Sequence, residues 1–173
     1  MVAKPKASTA GQGDAKAAAA AAAAAATTNA AKPEEEQPAE EDDEAARTGT
    51  FSFSDGSKYK GDYCLVSGKV VRQGHGSFWT GPEKYEGEWL HDQMHGHGVY
   101  NFATGAIYDG EFQGNAFHGV GGYRWADGAH YEGGWHFNKM HGEGLYVDKD
   151  GVQWRGRFLN GKYDNGRIFH TLR

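Results

Sequence analysis

The chain has 173 residues, a formal net charge of −5 and a single cysteine, Cys64. One cysteine cannot form an intramolecular disulfide, which favours a reducing compartment. No apolar run approaches the roughly eighteen residues of a membrane-spanning helix. The near-neutral balance of charges after residue 47 also argues against a nucleic-acid binder that depends on a field of basic side chains.

The first 47 residues differ in composition from the rest. All aromatic residues (five Trp, nine Tyr and nine Phe) lie from Phe51 onward. Residues 1–47 combine an alanine run, 17–26, with an acidic run, 32–47. So little apolar surface cannot offset the entropy of ordering, and we predict a disordered tail that either solubilises the chain or tethers it to a basic partner. A targeting peptide is disfavoured because no arginine or Leu/Val-rich segment accompanies the alanines.

Residues 48–173 are built from copies of one pattern. The sequence YEGEW at Tyr85 returns in phase as YDGEF, YEGGW and WRGRF, at steps of 23 residues, which indicates a repeat architecture. Residues 48–58 match the end of a unit, and the first whole unit has 26 residues, with its extra length near 67–73. Whole units begin at Tyr59, Tyr85, Tyr108 and Tyr131, and a degenerate last unit begins at Trp154.

Each unit has the alternation of a β-hairpin. In Tyr85–Trp89 the aromatic and glycine positions share one parity and the glutamates share the other, a period of two that indicates a strand. A helical repeat is excluded because four glycines per unit would each cost about 1 kcal/mol in a helix interior. The predicted fold class is all-β: a single-layer, elongated, twisted antiparallel sheet of tandem hairpins.

Residues of equal phase fall into columns across this sheet. Column mates lie two strands apart, about 10 Å, which is too far for ring contact, so the rings must alternate with side chains or with bare glycine backbone of the intervening strand. The recurring glycine leaves space for a ring to lie over the main chain. A single layer has a thin core, and one face is therefore expected to lie on another surface. One column is Tyr59, Tyr85, Tyr108, Tyr131 and Trp154; a second is Tyr63, Trp89, Phe112, Trp135 and Phe158; a third is Phe51, Phe78, Tyr100, Tyr123, Tyr146 and Phe169.

The pattern Tyr-x-Gly-x-(Trp/Phe)…His-Gly-x-Gly-x-Tyr resembles the MORN (membrane occupation and recognition nexus) repeat, over about 125 residues from Thr48 onward. The absence of an added catalytic domain makes the chain similar to small stand-alone MORN proteins. The resemblance implies an elongated antiparallel sheet that serves as a scaffold, often in cilia, flagella or the cytoskeleton. It also implies a phosphoinositide affinity. The last unit departs from the pattern, with Asp164–Arg167 in place of His-Gly-x-Gly, which is typical of a cap or a partner-binding edge.

The aromatic-glycine face is the predicted binding surface, with Trp89 and Trp135 as anchors because Trp and Tyr dominate interface hot spots. The alternative is that these rings only pack the sheet. Arg155 and Arg157 complete the candidate set, on the opposite face. The aromatic candidates are Tyr85, Trp89, Tyr108, Phe112, Tyr131 and Trp135.

The face opposite the rings has a charge gradient. We predict that this strip orients a docking partner, and the alternative is a solvated outer face. Its middle is acidic, with Glu86, Glu88, Asp109, Glu111 and Glu132, after a mixed start at Lys60 and Asp62. Its C-terminal end is basic, with Arg155, Arg157, Lys162, Arg167 and Arg173.

Motifs for chemistry are weak. His91, His95 and His97 cluster in one unit, but they match no known zinc-ligand spacing and have no cysteine partners. Glycine-rich segments such as 96–98 lack the lysine and helix that phosphate binding requires. No nucleophile motif occurs. We therefore predict no enzyme activity, no cofactor and no metal.

The sequence predicts a non-catalytic protein-binding scaffold, located in the cytoplasm or cytoskeleton and neither secreted nor transmembrane. The resemblance places it at a cilium or flagellum, with axonemal or cytoskeletal protein partners. Self-association through the terminal repeats is a further expectation, and nucleic acid is not an expected partner. The alternative is a peripheral phosphoinositide-binding module, although a near-neutral repeat region lacks the usual polybasic patch.

Overall fold

The computed structural model describes residues 43–169, which form eleven strands and no helix. Each strand pairs antiparallel with the strands before and after it, so one open sheet follows the order of the chain. This confirms the predicted all-β sheet of tandem hairpins. The strands are β1 (Asp43–Ser52), β2 (Lys58–Val66), β3 (Lys69–Thr80), β4 (Glu83–Leu90), β5 (Gln93–Asn101), β6 (Ile107–Gln113), β7 (Ala116–Arg124), β8 (His130–His136), β9 (Lys139–Val147), β10 (Gln153–Leu159) and β11 (Lys162–Phe169).

The sheet begins earlier in the chain than predicted. Residues 1–42, and with them most of that prediction, lie outside the described residues. Strand β1 begins at Asp43, five residues before the predicted start of the repeat region at Thr48. Asp43 lies opposite Leu65 and Arg47 lies opposite Tyr63, with an irregular register between the two pairs. The end of the acidic run therefore pairs with β2.

The His-Gly-x-Gly signature forms a β-bulge in the three hairpins that begin at Tyr85, Tyr108 and Tyr131. In the unit that begins at Tyr85, Gly96 has a φ of +56°, a conformation that favours glycine. The register between β4 and β5 shifts after Gly87, as a bulge requires. The Glu88 carboxylate then accepts a hydrogen bond from the backbone N–H of His97, at 3.1 Å. The repeated glycine and acidic residue thus have a local structural role.

One row of directly paired glycines crosses the whole described sheet, and tyrosine rings lie over its backbone. A Cβ atom added at Gly98 would lie 2.6 Å from ring atoms of Tyr85, so only glycine fits beneath this ring. The prediction that rings lie over glycine backbone is confirmed. Successive paired glycines of the row are Gly49, Gly61, Gly76, Gly87, Gly98, Gly110, Gly121, Gly133, Gly144, Gly156 and Gly166.

The sheet is folded lengthwise along this row. Phe117 and Tyr123 both lie on β7, six residues apart, which would separate them by about 20 Å in a straight strand. Their ring centroids are only 6.3 Å apart, and Phe117 also lies 6.2 Å from Phe102 at the end of β5. The strand therefore bends, and its two arms close over the rings. This corrects the expectation of a thin core that needs an external cover, because the fold encloses its own aromatic face.

An Asn in the hairpin turn fastens one unit to the unit before it. The Oδ1 atom of Asn115 accepts the backbone N–H of Met94 at 2.8 Å, and the Asn115 N–H donates to the Met94 carbonyl. Asn138 makes the same two bonds to Phe117. Gly161 holds this position in the last hairpin and keeps only the backbone bond. The last unit is thus attached by one hydrogen bond fewer.

The last unit also shifts the aromatic column. Tyr85 lies opposite Tyr100, fifteen residues later, whereas Trp154 lies opposite Ile168, fourteen residues later. The predicted place of Phe169 in the third column is therefore wrong. Phe169 projects from the opposite face and is 47% exposed.

The long first unit differs at its tip. Tyr63 pairs with Arg72, nine residues later, whereas Trp89 pairs with Met94, five residues later. The hairpin is thus four residues longer, and the outer turn that follows is one residue shorter. The extra length lies in this hairpin, near 67–73, as predicted. The shorter outer turn was not predicted.

Candidate binding face

The six aromatic residues predicted to bind a partner lie inside the folded sheet. Their exposed fractions range from 0 to 6%. They come together as predicted, but they face each other rather than solvent. These residues are Tyr85, Trp89, Tyr108, Phe112, Tyr131 and Trp135.

Tyr108 shows how tightly such a ring is held. It stacks on Phe117 with centroids 3.7 Å apart and meets Trp135 of the next unit edge-on at 5.3 Å. Its hydroxyl donates a hydrogen bond to the backbone oxygen of Glu111 at 2.8 Å, and Tyr85 makes the same bond in its own unit. Burial raises the pKa of Tyr108 above its ordinary value of 10.0. The hydroxyl therefore remains a neutral donor at physiological pH.

The two tryptophans proposed as anchors use their polar atoms internally. Trp89 Nε1 donates to the carbonyl of Gly76 at 3.1 Å, and Trp135 Nε1 donates to the carbonyl of Gly121 at 3.0 Å. A tryptophan that anchors an interface normally presents this group to its partner. The burial and the bonds favour the alternative that these rings pack the sheet. Their role in binding stays a prediction.

Arg72 is a buried residue that the sequence analysis did not single out. It is 3% exposed, its guanidinium lies 4.2 Å from the centre of a Trp89 ring, and its Nε donates to Asp92 Oδ1 at 2.9 Å. Later units have Met94 and Phe117 at this position. The sequence signal for Arg72 was therefore a charged residue where the other units have an apolar one. Asp92 keeps the two turn bonds that Asn115 and Asn138 make in later units, and its ion pair with Arg72 neutralises the buried charge.

A cavity of about 480 Å³ lies beside Arg72, at the N-terminal end of the aromatic face. Phe51, Phe53 and Tyr59 form its apolar wall, and Lys69 lies at its border. The Arg72 charge is already paired with Asp92, so this cavity has no obvious ionic specificity.

The opposite face has six of the predicted charges in one row of directly paired residues. Because directly paired residues share a face, the register places an acidic residue on β4, β6 and β8 and arginine on β10 and β11. From β1 to β11 the row is Thr50, Lys60, Ser77, Glu86, Val99, Asp109, Gly122, Glu132, Leu145, Arg155 and Arg167. We refer to this surface as the charged face.

The acidic residues of this face have two different roles. Glu88 and Glu111 bend towards the bulges, where Glu88 binds the N–H of His97 and Glu111 binds the N–H of Val120. The acidic residues of the row itself are exposed. Glu86 pairs with Lys84, and Asp109 lies 3.3 Å from Nε2 of His97. The row carboxylates therefore remain open to solvent and to partners.

The basic end of the charged face is compact. Arg155 lies directly opposite Arg167, and Arg157 lies opposite Asn165. All three arginines are exposed. The structure thus brings together the predicted candidates Arg155 and Arg157, while Arg173 lies outside the described residues.

Two depressions follow each other along the charged face. The first, of about 610 Å³, runs over the glycine row beside Glu86 and Val99. The second, of about 400 Å³, lies over Gly122, between Asp109 and Glu132. Gly122 was missed by the sequence analysis, although it stands where other units have Ser77, Val99 and Leu145.

Three of the described histidines in the later units make ring contacts with one another. His118, His136 and His141 make successive ring contacts at 5.3 and 5.5 Å. Within residues 43–169, no group of three His, Cys, Asp or Glu side chains has an arrangement suited to a metal ion. The alternative of a site at His91, His95 and His97 has no support from this geometry.

The comparisons with known proteins address the repeats themselves. A search of curated proteins finds no match. Among residues 43–169, no helix is long and apolar enough to cross a membrane. The family model of the MORN repeat matches residues 85–107, 108–130 and 131–153, in the phase of the tyrosines that begin each hairpin. Three consecutive units of the sheet therefore match the MORN repeat.

Proposed function

We propose that this protein is a non-catalytic scaffold that binds other proteins through the charged face of its repeat sheet. The observation that supports the proposal is the enclosure of the aromatic rings. With those rings inside the fold, the charged face is the extended surface left for a partner. Its acidic middle and arginine end give a partner one preferred orientation, because charge patterns contribute to specificity and association rate.

A peripheral phosphoinositide-binding module is the second candidate. The cluster of Arg155, Arg157 and Arg167 favours it, because arginine recognises phosphate well. Against it, the acidic carboxylates of Glu86, Asp109 and Glu132 lie on the same face and repel an anionic membrane.

Liposome flotation and affinity capture of the full chain separate the two candidates. The variant Arg155→Glu/Arg157→Glu is compared with wild type in both assays, with Lys149→Glu, an exposed turn residue, as the matched control. The scaffold proposal expects no flotation with phosphoinositide vesicles and a weaker, salt-sensitive capture of protein partners by the variant. Salt-sensitive flotation that the double variant abolishes would support the lipid candidate instead.

We further propose a cytoskeletal location at a cilium or flagellum, with axonemal partners, which rests on the family resemblance. Proximity labelling in a ciliated cell tests this location. Self-association through the terminal strands is a separate proposal, supported by the exposed side chains of Ile168 and Phe169 on β11. Light scattering of the full chain tests it, and a monomer at all concentrations would contradict it.

A further inference from the structure

The charged face has a two-step pattern from β4 to β8. Along the row, the carboxylates of Glu86, Asp109 and Glu132 alternate with Val99 and Gly122. Adjacent strands are about 4.8 Å apart, so the carboxylates repeat at about 10 Å and the uncharged positions lie midway.

Gly122 turns one of these midway positions into a recess. A Cβ atom added there would find its nearest neighbour at 3.8 Å, so the space above the backbone is open. The depression of about 400 Å³ over Gly122 lies between Asp109 and Glu132, and Ile107, Arg124 and His130 also line it. It is therefore a recess between two carboxylates, with open space above the backbone of Gly122.

Glu132 is the least satisfied of these carboxylates. It forms no ion pair with any other residue in the described part of the chain. Glu86 has Lys84 and Asp109 has His97 nearby, but both of these pairs are exposed, with side-chain exposures of 37 to 63%. Exposed pairs of this kind exchange partners at little cost.

The spacing selects a helix over an extended peptide. Residues seven apart on a helix are separated by about 10.5 Å on one face, and residues three or four apart fall midway. An extended strand repeats on one face every 6.6–6.8 Å, roughly, and matches neither spacing. A helix laid across the strands therefore meets both the carboxylates and the positions between them.

We propose that the charged face binds an amphipathic basic helix of a partner protein, laid across β4–β8. Lysine or arginine side chains at seven-residue intervals face Glu86, Asp109 and Glu132, and a large apolar side chain enters the recess over Gly122. The inference rests on the proposed protein-binding function and names its partner class. An acidic residue further along the helix faces Arg155, which sets the direction of binding.

A labelled model peptide tests this inference on the full chain. The probe is a helical peptide of about three heptads, with lysine at every seventh position and leucine midway, and a charge-reversed peptide serves as its control. Fluorescence anisotropy is expected to show salt-sensitive binding of the lysine peptide only. Asp109→Lys/Glu132→Lys is expected to weaken that binding at least about tenfold, whereas Asp150→Lys, an exposed acid outside the row, leaves it unchanged.

The recess provides a complementary test. Gly122→Leu is expected to weaken binding of the leucine peptide about tenfold, and replacing the peptide's central leucine with alanine is expected to restore it. If Gly122→Leu lowers the melting temperature, the affinity of Asp109→Lys/Glu132→Lys for the lysine peptide is the deciding measurement, because both of these positions are exposed. Absence of binding to wild type at low salt, or equal binding of both peptides, would overturn the helix proposal. If the helix proposal fails in this way but the charged face still captures protein partners, the proposed scaffold function is retained.

Discussion

At the scale of single residues, a glycine of the glycine row, such as Gly98, has a different steric role from Gly122, which lies outside that row. Gly98 and Gly122 lie on neighbouring return strands but differ in what surrounds them. A Cβ atom at Gly98 would meet the Tyr85 ring at 2.6 Å, and one at Gly122 would meet nothing closer than 3.8 Å. The repeated glycine makes room for a ring, whereas the unrepeated one leaves an open surface.

This contrast predicts opposite effects of the same substitution. Gly98→Ala should lower the free energy of unfolding by about 1–3 kcal/mol, because the fully buried Tyr85 ring must move. Gly122→Ala should leave it unchanged or raise it by up to about 1 kcal/mol, because alanine restricts the unfolded chain. Urea denaturation of both variants checks the prediction, and equal effects would contradict the ring-over-glycine packing.

The buried tyrosines predict a loss of stability at alkaline pH. Burial raises the pKa values of Tyr85 and Tyr108 above their ordinary value of 10.0. The stability they contribute is therefore fully present below pH 10 and falls as the pH rises above it, because the unfolded state then loses these protons more readily. Urea denaturation between pH 8 and 11, roughly, should show a flat region followed by a decline, in step with tyrosinate absorbance. A constant stability across this range would contradict the burial.

At the scale of the hairpin, the turn residue decides how well a unit is attached to its neighbour. Asn115 and Asn138 combine a positive φ with a side-chain bond to the preceding unit. Gly161 has a φ of +81° but no side chain for this bond. In a repeat protein, stability is a sum of unit and interface terms, so the junction before the last unit should be weaker than the junctions at Asn115 and Asn138.

Two reciprocal substitutions test this attachment. Asn138→Gly keeps the positive φ and removes one hydrogen bond, so it should cost about 0.5–1.5 kcal/mol. Gly161→Asn should add the missing bond to the N–H of Met140 and increase amide-exchange protection in β9 and β10. Hydrogen exchange of the full chain measures both changes. Protection in β9 and β10 that Gly161→Asn leaves unaltered would show that the turn residue does not fasten the units.

Much of the element scale was predictable from the sequence. The 23-residue period and the alternation within Tyr85–Trp89 predicted the hairpins, their order and the place of the glycines. Phe169 was misplaced because the last unit lacks one residue between its paired positions, and a motif count does not show where a register slips. Arg72 was overlooked because its column, which continues with Met94 and Phe117, is not uniformly aromatic and was not among the three columns that were aligned.

At the scale of the whole molecule, the choice of face was not predictable from the pattern. Alternation assigns residues to two faces, but it does not show that the sheet folds lengthwise and encloses one of them. The 6.3 Å separation of Phe117 and Tyr123 reveals that fold. It moves the surface of interest from Trp89 and Trp135 to the row that contains Asp109 and Glu132.

The central claim is that the charged face binds partners while the aromatic face is the core. Quantitative affinity capture, corrected for folded fraction, tests it with Asp109→Lys/Glu132→Lys on one face and Trp135→Phe on the other. The lysine variant is expected to keep its melting temperature and lose its protein partners. Trp135→Phe is expected to lower the melting temperature and keep its protein partners. Loss of partners by folded Trp135→Phe, with full binding by the lysine variant, would contradict the central claim.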